Sequence, residues 1–269
     1  MRAASVKTKK IGALAVACSL AVAAQSQTII DPLTGSLAGY TTTAVLDNSA
    51  GAGQGVSFTA GVGGLAANYA GTGASAEQSL FLAPASSFSQ TFAVGDTLSV
   101  NTSFAATGPT EDFGLAISAA NPVAAGAGNG YNSRTLFDYA AVSLRPSQNA
   151  LRVSTSINGT LTTGNGVIGF GGNSAANVTS LYVSWVSADV FDVGYSTAGG
   201  QVLDEAITFE AGSTIGSEIG FYGDLRGTGT SLGSFSDLTI TPTPTPEPST
   251  LALCSLGLAG LATVARRKK

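Results

Sequence analysis

Apolar residues alternate with polar ones along most of this chain, and that alternation limits what it can fold into. Leu98, Val100 and Phe104 fall on one face of an extended run, with Ser99, Asn101 and Ser103 on the other. The same period of two recurs at Leu151, Val153 and Ile157, at Phe113, Leu115 and Ile117, at Leu181, Val183 and Trp185, and at Phe191, Val193 and Tyr195. Such alternation, rich in β-branched and aromatic residues, marks strands with one buried face. Further runs are Tyr40–Leu46, Gly55–Ala60, Ser79–Ala83, Phe88–Ala93, Phe137–Leu144, Gly166–Phe170, Gln201–Phe209, Glu218–Tyr222 and Ser234–Ile240. Gly, Asn, Ser and Asp break these runs, and no helix of more than two turns is expected between them. Many antiparallel strands with Gly-rich turns in one domain predict an all-β, two-layer β-sandwich of jelly-roll type. Alternatives are a galactose-binding-like sandwich and a right-handed β-solenoid, the latter disfavoured because no repeat of fixed period is present.

The two ends follow other rules. Arg2, Lys7, Lys9 and Lys10 form a basic region, followed by apolar Ile11 to Val22 and the small residues Ala23 and Ala24. This order predicts a secretory signal helix over residues 1–24, cleaved at Ala23 or Ala24. A lipoprotein reading would use Cys18, but only seven apolar residues separate it from Lys10. At the other end, residues 241–248 form a Pro/Thr linker closing on Pro246, Glu247 and Pro248. Residues 249–269 hold an uncharged segment, Leu251 to Ala265, and then the basic cluster Arg266, Arg267, Lys268 and Lys269. A helix of this segment would rise ~22 Å, short of the ~30 Å hydrocarbon core. With Ser249 and Thr250 and snorkelling basic side chains it is expected to make a single transmembrane helix. Its basic end stays cytoplasmic, which leaves the body, residues 25–240, outside the inner membrane.

Composition excludes several chemistries. There is no histidine. Ser-His-Asp and Cys-His machinery and histidine-bound zinc are therefore ruled out. Both cysteines, Cys18 and Cys254, lie in the end segments, so thiol catalysis and disulfides are absent from the body. From Gln25 to Pro248 the chain has four basic residues, Arg134, Arg145, Arg152 and Arg226, against all sixteen acids, a net charge of −12. A body this acidic does not suit nucleic acid.

Paired carboxylates remain. Glu111-Asp112, Asp189 with Asp192, and Asp204-Glu205 with Glu210 are the clusters a glycosidase could draw on. Adjacent strand residues point to opposite faces, and solvated loop charge is the simpler reading of each. Calcium is the one cofactor in view, with Glu111, Asp112, Asp189, Asp192 and Asp237 as oxygen donors, although no EF-hand spacing is present. Tyr131, Tyr139, Tyr195, Tyr222 and Trp185 are candidates to stack on sugar rings, with core packing expected for Trp185. The threonine runs Thr41–Thr43 and Thr160–Thr163 are too short for an ice-binding array. The Gly/Ala-rich stretches 49–76 and 119–130 are expected to be loops or small-residue strands at the rim.

Two resemblances add to this. Pro246-Glu247-Pro248-Ser249-Thr250, the Leu/Gly/Ala-rich segment and the closing Arg/Lys run resemble the PEP-CTERM sorting signal of Gram-negative bacteria, also called an ice-binding protein C-terminal domain. This resemblance implies processing near Pro246–Pro248 by an exosortase after general secretion and a transient stay in the inner membrane. It also implies delivery to the cell surface or the exopolysaccharide matrix. Glu218–Gly223 and Gly233–Ile240 resemble the last strands of concanavalin/laminin-G-like sandwiches, which include lectins and hydrolases. The Glu-x-Asp-x-x-Glu pattern of laminarinase-type members is missing, since Asp204-Glu205 reaches Glu210 at the wrong spacing. The expected protein is therefore a non-enzymatic surface or matrix component, structural or carbohydrate-contacting. A secreted glycan hydrolase is the alternative.

Overall fold

A computed structural model describes residues 27–37, 39–48, 55–70, 76–104, 112–119, 138–145, 150–163, 168–169, 174–226 and 233–242. All of them belong to one compact unit, Gln25–Thr243. The expected signal helix, the transmembrane segment, Ala23, Ala24, Pro246–Pro248 and Arg266–Lys269 lie outside the described residues. Among the described residues there is no α-helix, and no helix is long and apolar enough to cross a membrane.

Sixteen strands are present among the described residues. They are β1 (Thr28–Asp31), β2 (Thr41–Asn48), β3 (Gly55–Gly61), β4 (Gly64–Ala70), β5 (Ala76–Pro84), β6 (Thr97–Phe104), β7 (Asp112–Ser118) and β8 (Tyr139–Arg145). They continue with β9 (Ala150–Ile157), β10 (Thr160–Thr163), β11 (Ile168–Gly169), β12 (Val178–Ser187), β13 (Val190–Thr197), β14 (Gly200–Thr208), β15 (Glu218–Arg226) and β16 (Gly233–Thr241). Sheet A runs in the order β14-β13-β12-β6-β16-β4-β3, and β1 also pairs with β16. Sheet B runs β10-β9-β8-β7-β15-β5-β2, with β11 beside β9. Every pairing is antiparallel.

The sheets pack face to face over the apolar positions of the alternation. Phe113 of sheet B meets Phe235 of sheet A with ring centroids 4.1 Å apart, and Phe58 of sheet A stacks on Phe81 of sheet B at 4.9 Å. Leu98, Val100, Leu115, Ile117, Val142, Leu181, Val183, Val193 and Phe221 are fully buried in the same cluster. Burying an aromatic or aliphatic side chain of this size stabilises the fold by ~1.5–3 kcal/mol, so this layer is the dominant favourable term.

Local chemistry sets the connections. Asn158 and Gly159 both take positive φ, 45° and 72°, and close the β9–β10 hairpin as a two-residue turn whose twist matches the strands. At β16 the register against β6 shifts between Ser236 and Thr239, where Asp237 has φ 53°. This is a bulge, and the Asp237 carboxylate accepts a hydrogen bond from Asn101 Nδ2 at 3.1 Å.

One expectation changes, and two other stretches take a definite form. Phe88–Ala93 is not a strand. It follows a 3-10 turn at Ala85–Ser87 as an irregular segment, and Phe88 and Phe92 pack inward on Tyr40 and Trp185. The Gly/Ala-rich stretch contains two paired strands, β3 and β4. Thr160–Thr163 is strand β10, at the end of sheet B.

Candidate functional site

Each sheet has a second face turned away from the core, and the two faces differ. On sheet B the outward positions are Asp112, Gly114, Ala116 and Ser118 of β7, Tyr139, Ala141, Ser143 and Arg145 of β8, Arg152, Ser154 and Ser156 of β9, and Gly220, Tyr222 and Asp224 of β15. The alternation decides this, because Phe113, Leu115, Ile117, Val142, Leu151 and Phe221 point the other way into the core. Leu80, Leu82, Ala116, Tyr139, Ala141 and Tyr222 form a separate apolar cluster on this outer face.

Four charges meet at one end of it. The register pairs Asp112 with Asp224 across β7 and β15, and β8 and β9 bring Arg145 and Arg152 alongside. Arg145 grips Asp112 with two donors, Nε to Oδ1 at 2.5 Å and Nη2 to Oδ2 at 3.0 Å. Arg152 Nη1 donates to Asp112 Oδ2 at 2.7 Å and lies 3.4 Å from Asp224 Oδ2. Arg145 Nη2 is 3.7 Å from the same Asp224 oxygen. Both carboxylates are fully buried and both arginine side chains nearly so. Two acids and two guanidiniums make a neutral quartet, and paired charge is the condition under which such groups can be buried.

Burial, and then the charge of Asp224, push the Asp112 carboxyl up to about 6 against the pull of the two guanidiniums. At Arg152, burial favours the neutral form, but Asp112 and its neighbours outweigh it and the guanidinium is raised. Burial chiefly, with Asp224 next, pushes the Tyr222 hydroxyl well above its ordinary value, so it stays protonated.

Beyond the quartet the face is small and polar. Gly114, Ala116, Ala141 and Gly220 form a low floor. At Gly220 a Cβ would lie 2.1 Å from the Phe81 carbonyl oxygen, so only glycine fits. Around this floor stand Ser143 Oγ, Ser154 Oγ, Ser156 Oγ, Arg152 Nε and the Tyr222 hydroxyl. All five are buried and none makes a hydrogen bond among the described residues. An unsatisfied buried polar group costs about 1–3 kcal/mol. Five on one face are a poor permanent interior and a good set of donors and acceptors for a polar ligand.

The outer face of sheet A is partly exposed and rich in hydroxyls, although Thr239 is buried. Thr97 lies opposite Ser184 and Thr241, Ser99 opposite Thr239, and Ser103 opposite Ser234. Cross-strand hydrogen bonds at 2.8 Å join Thr97 to Ser184 and Ser99 to Thr239. The Ser103–Ser234 row reaches an open cleft of about 410 Å³ over β16, β4 and β3, lined by Thr59, Ala60, Gly61, Gly63, Gly64, Ala66, Gly233 and Ser234.

The sequence candidates are scattered over this frame. Asp112 is a buried member of the quartet rather than a solvated loop charge, and Tyr139 and Tyr222 line the outer face of sheet B. Tyr195 belongs to the core, and Trp185 packs against it. Asp189 sits in the β12–β13 turn, Asp192 on β13 and Asp237 in the β16 bulge, apart from Asp112. Among the described residues no three acids group to hold a metal ion. Glu210 and Asp138 both bind Asn158, Glu210 through Nδ2 and Asp138 through the backbone N–H, each at 2.7 Å. Glu205 lies on β14; Glu111 and Tyr131 lie outside the described residues. Arg145 and Arg152 were passed over as site residues. Their signal is that two of the body's four cations sit five positions before and two after the start of β9 at Ala150, in strands that are otherwise apolar and small.

Among solved structures, the chain is similar to carbohydrate binding module CBM66 from Bacillus subtilis, at 10% identity over 76% of this chain and 95% of that one, with a TM-score of 0.38. It is similar to the Bacillus licheniformis β-glucanase at 12% identity over 79% and 96%, TM-score 0.42. It is also similar to a GlcNAcα1-4Gal-releasing endo-β-galactosidase from Clostridium perfringens at 7% identity over 83% and 64%, TM-score 0.49. No curated protein matches the chain in sequence at a significant level. The tail does have a match to a family: at residues 244–269 the chain carries the PEP-CTERM protein-sorting motif.

Proposed function

We propose that this chain is a non-enzymatic protein of the cell surface or exopolysaccharide matrix whose β-sandwich contacts carbohydrate through the outer face of sheet B. The sorting motif itself implies recognition by an exosortase, export, and sorting to the surface or matrix of a Gram-negative bacterium. Signal cleavage at Ala23 or Ala24, passage through the general secretion machinery, a transient stay of residues 249–269 in the inner membrane and processing near Pro246–Pro248 belong to the proposal.

One observation carries the carbohydrate reading. Ser143, Ser154, Ser156, Tyr222 and Arg152 present unpaired hydrogen-bonding atoms around a floor of glycine and alanine. Sugar hydroxyls are donor and acceptor at once and can satisfy such a set, while Tyr139 and Tyr222 supply ring surface. These side chains are buried, and in this reading the face opens to admit its ligand. The carboxylates support a non-enzymatic role. A glycosidase needs one acid that releases its proton to the leaving oxygen and one carboxylate free to act as base or nucleophile. Asp112 is engaged at both oxygens by arginines, and Asp224 faces both guanidiniums.

A hydrolase is the second reading, favoured by the raised Asp112 carboxyl beside Asp224. Two carboxyls whose environments set them apart are what an acid–nucleophile pair requires. One experiment separates the readings. Gln25–Thr243 is incubated with a polysaccharide panel, scoring retention in affinity electrophoresis and release of reducing ends. Retention without release is expected. Release that stops in the D112N variant would establish the hydrolase, and neither retention nor release would end the carbohydrate reading.

A further inference from the structure

The cleft on sheet A lies on the opposite side of the sandwich from the quartet, and its lining carries no charge. This is unusual in a body whose net charge is −12. Thr59 pairs with Ala66 across β3 and β4, and Ser234 pairs with Ser103 across β16 and β6. Small side chains therefore continue over four neighbouring strands, with no large group to block access to the backbone. Among the described residues β3 is the last strand of sheet A. Val62, fully exposed at the tip of the β3–β4 turn, adds an apolar patch.

We propose that this cleft, with the Ser103–Ser234 pair that reaches it, is a second carbohydrate surface that takes a neutral polysaccharide chain lying across β3, β4, β16 and β6. Three features select that occupant. An extended polyol chain offers repeated hydroxyls to a lining of hydroxyls and backbone groups. On the same outer face the half-buried hydroxyls of Thr97 and Ser184 are already oriented by their mutual bond, so little side-chain freedom remains to be lost where a polymer extends past the cleft. The acidic body repels acidic polymers, while the uncharged lining leaves no cation to hold them. The proposal does not depend on the sheet B reading.

Gln25–Thr243 holds both sheets and the whole described core, so it is tested as a separate protein. The probes are a soluble neutral β-glucan and dextran, with alginate as the acidic control. Ala66→Arg and Ser234→Arg place a long cation in the cleft from half-exposed positions and should leave the melting temperature within a few degrees of wild type. Expected are binding of a neutral probe, no binding of alginate, and a tenfold or greater loss of the neutral binding in both variants. Ser154→Ala combined with Tyr222→Phe tests sheet B in the same assay. Loss only in that double variant would overturn the cleft and leave the sheet B reading standing. Loss only in the arginine variants would do the reverse. Binding of alginate in preference to the neutral probes would overturn the proposal. So would sedimentation of wild type as a dimer that A66R dissociates, since the cleft would then hold a second copy.

Discussion

Asp112 shows how much one residue can depend on distant partners. Its carboxylate is fully buried and takes three hydrogen bonds from Arg145 and Arg152, 33 and 40 residues further along the chain. Asp112→Ala leaves two guanidiniums facing Asp224 alone and should cost about 3–5 kcal/mol, read from urea denaturation at pH 7. The pH dependence has a definite sign. The Asp112 carboxyl stands near 6 in the fold against a reference of 3.8, so the folded chain binds this proton more tightly than the unfolded one. Between those values folding takes up a proton. The contribution of this group therefore weakens the fold as pH rises through that window, and the difference between D112N and wild type should change most there. Paired urea titrations at about pH 4 and pH 7 check it; a difference independent of pH would show that Asp112 does not titrate as described. Sequence showed Glu111-Asp112 as a carboxylate pair and no more, because the partners are chosen by strand register, which local pattern does not encode.

At the scale of elements, the cross-sheet aromatic layer joins the two halves. Phe235→Ala would remove the ring that meets Phe113 and also contacts Phe104 and Phe221, and should cost about 3–5 kcal/mol with loss of cooperativity between the sheets, seen in thermal unfolding. Gly64 governs the entry to the β4–β16 pairing. It has φ +102°, and a Cβ there would lie 2.1 Å from the Phe235 carbonyl oxygen. Gly64→Ala should therefore destabilise by more than the ~1 kcal/mol usual for a strained turn glycine, and should open the sheet A cleft in hydrogen exchange. The strands that alternation made plain, such as β6, β7, β9, β12 and β13, are those whose inward residues are large. β4 was harder to see because Gly and Ala carry little periodic signal, and β1 because four residues are too few. Phe88–Ala93 misled for a physical reason, since its two phenylalanines serve the core from an irregular segment.

At the scale of the whole molecule, the sorting tail and the acidic sandwich divide the work of address and contact. Deleting Pro246–Lys269 should leave the protein periplasmic or free in the medium; cell fractionation with immunoblotting checks this, and unchanged surface retention would contradict it. The sorting segment was legible from composition and order alone, because such segments are recognised by linear features. The two-layer architecture was legible from alternation. The outer faces were not, because hydroxyls and charges that alternate with core residues look like ordinary solvated positions until register brings them together. The central claim is that the body holds carbohydrate without cutting it. The most direct measurement is isothermal titration of Gln25–Thr243 with neutral polysaccharide, followed by analysis of the sugar for new reducing ends. Saturable binding with the polymer intact is predicted. Absence of binding to every polysaccharide, or shortened chains, would contradict the account.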